Sequence, residues 1–234
     1  MQNETLKQQV ITASRKHKEL MSSITGGFED RGILNSEMLA VCAFSEDLGI
    51  EVLIESGRWL GQSTEVLAKY FQNKPMILES IEAFYDENAL YVEEKMKPWK
   101  NLHLHYGDAN WLVPQLVKKH KGKKIAILFD GPKGQMALDV FRLALTYSDT
   151  VLVGFFHDMR KTTPEMPNKS RDEMENSFEG NFYTDDADFV SEFQSLDQGC
   201  DVALWRPYMI DNKPIGSYGP TIGLVMPSSS DRKK

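Results

Sequence analysis

Val52-Leu53-Ile54-Glu55-Ser56-Gly57-Arg58-Trp59-Leu60-Gly61-Gln62-Ser63-Thr64 reads as a strand, a tight turn and a helix start. A short apolar run ends on a carboxylate, two glycines four residues apart follow, and two hydroxyl residues open a helical pattern over 65–71. Gly57 can adopt backbone conformations closed to other residues, and its missing side chain lets a ligand come close. The unpaired N–H groups from Gly61 to Thr64 suit a carboxylate or phosphate. Glu55, at the strand end, suits a cation or a hydroxyl. A ligand carrying both an ammonium and a carboxylate satisfies both ends. The spacing is not the dinucleotide fingerprint G-x-G-x-x-G, and no Gly-Lys-Ser/Thr follows as in a P-loop. An ordinary strand–helix turn would use the same glycines for geometry alone.

Working outward, apolar runs at 52–54, 76–81, 102–106, 125–129 and 151–156 alternate with helix-compatible stretches at 65–71, 86–96, 111–120 and 136–147. Runs apolar on both faces, separated by helices, predict a parallel sheet covered on both sides. Right-handed crossovers make it doubly wound. Two further strand-like runs, 202–205 and 221–226, are joined by a Gly-, Pro- and Asn-rich segment at 207–220 and close the sheet. The expectation is therefore an α/β fold: a doubly wound, Rossmann-like seven-stranded sheet, mostly parallel with an antiparallel edge strand, plus N-terminal helices. Residues 1–48 form a helical lid or cap with a loop at 26–32, and 49–227 form the ligand-binding domain. Within it, 161–180 reads as a mobile loop and 187–196 as a helix, so that 161–200 lies near the active site; 228–234 is a polar tail.

Bulk properties narrow the function classes. At 234 residues the chain buries a good core as one domain, or as one domain with a lid. A net charge of −7 and a pI near 5.3 argue against a general nucleic-acid binder, which carries a basic face. The one basic run, 118–124, falls where a helix ends, where cations are favoured, and reads as a solvated helix end. The two cysteines, Cys42 and Cys200, lack metal-site spacing, which fits a reducing compartment. The polar first residues lack the apolar core of a signal peptide, and no run reaches membrane-spanning length. The chain reads as cytoplasmic, with no membrane or nucleic-acid partner; a homodimer is left open.

Each strand run ends on or beside an acid: Glu55, Glu82, Asp108, Asp130 and Asp158, spaced 22 to 28 residues apart, one strand–helix unit each. In an open parallel sheet these ends share one edge, where ligands bind. Acids are also common as helix N-caps. With the acids in this order, the chain resembles class I S-adenosylmethionine-dependent methyltransferases over residues 50–160, and most closely the small-molecule (sugar and macrolide) O-methyltransferase and cephalosporin-hydroxylase-like branch. Glu55 to Thr64 resembles that branch's first loop, Ser80-Ile81-Glu82 its second strand end, Gly107-Asp108-Ala109 its third, Phe129-Asp130-Gly131 its fourth and Phe156-His157-Asp158-Met159 its fifth. Pro132-Lys133-Gly134 departs from the histidine and aromatic common after the fourth, and 147–150 lacks a glycine pair common before the fifth.

The resemblance implies an S-adenosylmethionine-dependent enzyme that methylates an oxygen of a small-molecule acceptor. Glu55, Gly57, Trp59, Gly61, Ser63 and Thr64 hold the methionine end, with the Ser63 hydroxyl taking its carboxylate. Glu82 accepts both ribose hydroxyls, with charge-assisted bonds; Glu79 is a rival three residues earlier, on the other side of the strand. Asp108 accepts from the adenine amine, Ala109 donates its backbone N–H, and Trp111 lies against the adenine or in the core. Asp130, His157 and Asp158 are the catalytic candidates, either as ligands to Mg²⁺ or another divalent cation or with His157 as general base. Asp130 also borders the cofactor. Lys133 is either a counter-charge to a substrate anion or a solvated loop lysine. His103 and His105 read as structural. Hydroxylation, aminopropyl transfer and a non-catalytic S-adenosylmethionine-binding module are the alternatives.

Overall fold

Alternation along the central strands decides how the chain packs. In the computed structural model, which describes residues 2–25, 32–164, 167–198, 207–210, 213–217 and 220–231, strand β1 (Val52–Ser56) is buried along its whole length. Leu53 enters one apolar cluster, Val52 and Ile54 the other. Strand β4 (Ile125–Phe129) repeats the pattern: Ala126 and Leu128 face the first cluster, Ile125, Ile127 and Phe129 the second. A period-two element whose successive apolar residues enter opposite clusters is covered on both faces.

The first cover consists of α1 (Gln2–Ile24), α2 (Asn35–Asp47), α3 (Gln62–Phe71) and α8 (Ala187–Phe193), which contribute Val10, Met38, Leu67 and Phe189 to the core. The segment read as a cap is thus one of the layers. The second cover is α5 (Ala109–Lys119), α6 (Gln135–Tyr147) and α7 (Lys169–Ser177), with Val113, Phe141 and Met174. Helix α4 (Glu87–Met96) is started by Asp86, whose side chain accepts from the Ala89 N–H, satisfying an orphan donor.

The sheet order is β3-β2-β1-β4-β5-β9-β6, with β2 (Ile77–Glu82), β3 (Leu102–Tyr106), β5 (Val151–Phe156), β6 (Gly180–Tyr183) and β9 (Gly223–Met226). Strands β1 to β5 pair in parallel. The antiparallel strand is β9, one place in from the edge, paired on either side with β5 and β6. Strand order reverses between β1 and β4, the switch point at which open α/β sheets bind ligands. The expected run 221–226 is β9; the run 202–205 lies outside the described residues, as do 26–31 of the N-terminal loop. Edge strand β6 begins at the last residue of the stretch 161–180, which was expected as a loop. A separate hairpin pairs β7 (Pro207–Ile210) with β8 (Lys213–Ser217).

Two expectations need correction. Residues 161–180, expected as a loop, contain α7, capped by the Asn168 side chain and tied to α6 by Arg142 Nη2, 2.7 Å from Glu173 Oε1. The basic run is not simply solvated. Lys118 lies 3.8 Å from the Tyr147 ring centre. Lys119 and His120 reach the fully buried Glu79 carboxylate at 2.7 and 2.6 Å, and His105 reaches its other oxygen at 2.6 Å. A buried carboxylate is tolerable only when its charge is matched in this way. No helix among the described residues is long and apolar enough to cross a membrane.

Burial alone would raise the Glu79 pKa, but bonds from His105, Lys119 and His120 outweigh it and lower it to about 2. A depressed carboxylate pKa stabilises the fold above the unfolded value, near 4.3, and that contribution disappears as pH falls towards 2. Glu79→Gln should therefore cost about 3 kcal/mol in urea unfolding at pH 7 and much less at pH 2.5. Equal losses at both pH values would contradict the network.

Candidate active site

The five strand ends are laced together by backbone hydrogen bonds. Asp130 and Gly131 donate to the Ser56 carbonyl at 2.7 and 2.9 Å, Gly57 to Ile81 at 3.0 Å, Gly107 to Glu82 at 2.9 Å and His157 to Phe129 at 2.9 Å. Gly57 has φ +95°, and a Cβ there would lie 2.3 Å from the Gly131 nitrogen. Its bare Cα thus makes room for the neighbouring backbone, where the sequence suggested room for a ligand. Gly61 has φ +78° and meets Met96 and Val92 of α4.

Glu55 is 1% exposed. Its carboxylate accepts from Ser63 Oγ at 2.6 Å and from Thr64 Oγ1 and Ser80 Oγ at 2.5 Å. Burial raises its pKa against the pull of those bonds. The acid and both hydroxyls, expected to face a ligand, instead bind one another beneath the loop. What α3 retains for a ligand is its first-turn N–H groups. Arg58, unremarked in the sequence, is 2% exposed; its Nη1 donates to the Ser80 carbonyl at 2.6 Å and its guanidinium lies 4.8 Å from the Tyr106 ring centre. This ties the β1 loop to β2 and β3.

A cleft of about 430 Å³ opens above these ends. It is lined by Ser56 and Gly57 from β1, Glu82 from β2, Asp108 and Ala109 after β3, and Gly131 and Pro132 after β4, with Phe84 and Met136 as apolar walls. Glu82 is held by two backbone donors, Trp59 N–H at 2.6 Å on Oε2 and Ala83 N–H at 2.8 Å on Oε1. Each carboxylate oxygen has a further lone pair for a ligand. Trp59 makes that bond at φ +44°, a conformation uncommon outside glycine. Asp108 caps α5, accepting from Asn110 N–H at 2.8 Å, and also lines the cleft, so the cap does not take it away from the cleft. Trp111 is 64% exposed and does not line the cleft, so it is not a core residue. Phe84 and Met136 escaped the sequence reading because nothing about a lone apolar residue near a turn marks it as a wall.

Beside the cleft, at the ends of β4 and β5, ligand atoms of Asp130, His157 and Asp158 lie within 4.8 Å of one another. The three expected catalytic residues are thus brought together. His157 Nδ1 is 2.7 Å from Asp130 Oδ1, and its Nε2 is 3.7 Å from Glu37 Oε2. Burial lowers the imidazole pKa, but the Glu37 charge and the Asp130 hydrogen bond more than reverse this, to about 10. An imidazole that keeps its proton at neutral pH is a cation, which runs against the general-base reading. Lys133 Nζ lies 2.9 Å from Asp130 Oδ1 and also bonds Asp158, so it is a bound counter-ion and not a solvated loop lysine. Asp158 sits at φ +65°.

Glu37 is the neighbour of His157 that the sequence hid. It is 1% exposed, accepts from Leu34 N–H at 2.8 Å at the start of α2, and accepts from Thr221 and Ile222 N–H at 2.5 and 3.0 Å ahead of β9. The position three residues after an N-cap is a capping-box signal, but nothing local reveals its reach across the chain to His157.

No family model matches this sequence, and no curated protein matches it. Solved structures match in fold. The O-methyltransferase TomG of Streptomyces achromogenes, solved with S-adenosylmethionine, aligns with a TM-score of 0.51 at 14% identity, over 94% of this chain and 90% of that one. An O-methyltransferase from Bacillus cereus in complex with S-adenosylhomocysteine aligns at 0.49 and 15% identity, over 97% and 92%. A putative O-methyltransferase from Klebsiella pneumoniae aligns at 0.46 and 15%, over 95% and 90%. The fold is the Rossmann-like fold seen in TomG.

The Gly57 contact predicts a large asymmetry between two glycines. Gly57→Ala must strain φ and displace the Gly131 backbone, and should cost about 2–5 kcal/mol in urea unfolding. Gly122→Ala, at φ +90° with open space around it, should cost only the strain, about 1 kcal/mol. Similar costs would show that the close approach contributes little.

Proposed function

We propose that this protein is a methyltransferase that moves the methyl group of S-adenosylmethionine to an oxygen of a small-molecule acceptor. The observation that carries the reading is the cleft at the β1/β4 switch point, flanked by two acids on successive strand ends, Glu82 and Asp108. Those residues fit an adenosine. Glu82, already steadied by two N–H donors, accepts the two ribose hydroxyls. Asp108 accepts from the adenine amine, and the first-turn N–H of Ala109 offers a donor to a ring nitrogen. Phe84 and Met136 provide the apolar faces a purine needs. The first turn of α3, beside the Gly57 loop, receives the methionine end through backbone N–H groups that suit its carboxylate.

When bound, S-adenosylmethionine supplies a methyl group on a sulfonium sulfur. The residues of the chain orient it: the loop at the β1 end and the Asp130-Gly131 end of β4 flank the cleft where the strand order reverses. Asp130, Asp158, Lys133 and His157 stand beside it as the charged groups for an acceptor. Fold likeness to TomG supports this reading, as does the order of acids along the chain. A divalent cation, expected from the same acids, meets Lys133 at that place.

The test is calorimetric. S-adenosylhomocysteine should bind the purified protein, and Glu82→Ala should weaken it by about 1.5–3 kcal/mol, the range for hydrogen bonds to a charged group. Release of S-adenosylhomocysteine in the presence of an acceptor then separates turnover from binding alone. No heat at millimolar ligand, or an unchanged affinity in Glu82→Ala, would remove the reading.

A further inference from the structure

We propose that Lys133 is a built-in cation that stands where a divalent metal would bind between Asp130 and Asp158, so that the site holds its acceptor as an oxyanion without a metal ion. The acceptor half of this statement rests on the methyl-transfer reading; the cation half does not.

The donors are those of a metal site, a histidine and two carboxylates with ligand atoms within 4.8 Å of one another. They are already engaged by one another and by Lys133. His157 Nδ1, the nitrogen nearest both aspartates, is 2.7 Å from Asp130 Oδ1 and 3.7 Å from Asp158 Oδ1. Lys133 Nζ bonds the same Asp130 oxygen at 2.9 Å and bonds Asp158 as well. One ammonium therefore bridges the two carboxylates that a bound cation would bridge. It relieves the repulsion between them, as a metal would. The lysine is delivered by the Gly131-Pro132-Lys133-Gly134 turn, whose first two residues line the cleft. Its side chain is 49% exposed, so the cation remains within reach of a bound acceptor.

The chemistry differs from that of a metal in one respect. A lysine ammonium is a compact point charge with three donors. Two carboxylates account for two of them, and the third is available to a single acceptor oxygen. An acceptor that has already given its proton to solvent enters as the anion. Its oxygen lone pair forms the new O–CH₃ bond, the C–S bond breaks, and that electron pair stays on sulfur. No base is consumed. Such a site selects acidic hydroxyls, phenols and enols, over the alkyl hydroxyls of sugars.

The experiment is a Mn²⁺ titration of the full chain, read by the electron paramagnetic resonance of free Mn²⁺, with S-adenosylhomocysteine affinity measured in parallel. Wild type should take up no Mn²⁺ at millimolar concentration. Lys133→Ala, with the Asp130 and Asp158 carboxylates released, should bind one Mn²⁺ at least tenfold more tightly, and Lys133→Arg should behave as wild type. One Mn²⁺ per wild-type chain bound as tightly as in Lys133→Ala would overturn the proposal, as would no binding by a folded Lys133→Ala. If that variant does not fold, the wild-type titration still decides. If the Mn²⁺ pattern holds but S-adenosylhomocysteine does not bind, the function is wrong and the cation stands. With a phenol as acceptor, chelator-treated wild type should keep its full rate; a loss restored by Mg²⁺ would also overturn it.

Discussion

A carboxylate sealed under the first loop organises this end of the molecule. Glu55 closes β1, is 1% exposed, and gathers hydroxyls from α3 and β2. A buried carboxylate left unpaired is severely penalised, so three donors around it form a mutually dependent set. That set fixes the first turn of α3 against two strands at once. It leaves the helix with backbone N–H groups, and not hydroxyls, as its contribution to a ligand. Arg58, running under the same loop to Ser80, holds the rim from the other side.

The acids of this sheet fall into two kinds, and the difference is environmental. Glu55 and Glu79 lie inside and answer to protein donors; Glu82, Asp108, Asp130 and Asp158 lie at the rim and keep oxygen lone pairs within reach of a ligand. The two groups look alike in the sequence. Period-two alternation separates Glu79 from Glu82, since residues three apart on a strand point to opposite faces. It says nothing of Glu55, whose fate is set by the hydroxyls that the following helix places over it.

The parallel sheet was legible because β4 is apolar throughout, β1 is apolar over Val52–Ile54, and β2, β3 and β5 recur at one strand–helix interval. The strand ends were legible for the same reason: each acid lies within two residues of the end of its run. What was not legible depends on contacts between distant segments. Glu37 reaches His157 from α2, and Lys119 and His120 reach Glu79 from the end of α5. Nothing in their neighbourhood along the chain distinguishes them from surface charge. Helix α7 was hidden by its polarity, since a helix that buries little more than Arg171 and Met174 shows no apolar stripe.

At the β4 and β5 ends, charges alternate along a line from the N-terminal helices to solvent: Glu37, His157, Asp130, Lys133, Asp158. Three carboxylates share two cations, so the line is one charge short of neutral. Every internal member has a partner on both sides, which is the condition under which buried charges persist. The terminal member, Asp158, is the most exposed and sits in a backbone conformation unusual for a non-glycine residue. Strain of that kind at the exposed end of a charge line is retained only where surrounding structure imposes it. Here Asn168 does so, donating to the Asp158 carbonyl at 3.1 Å while also capping α7. The polar helix that the sequence concealed thus sets the position of the outermost carboxylate, and through Lys133 the position of the charge nearest the cleft.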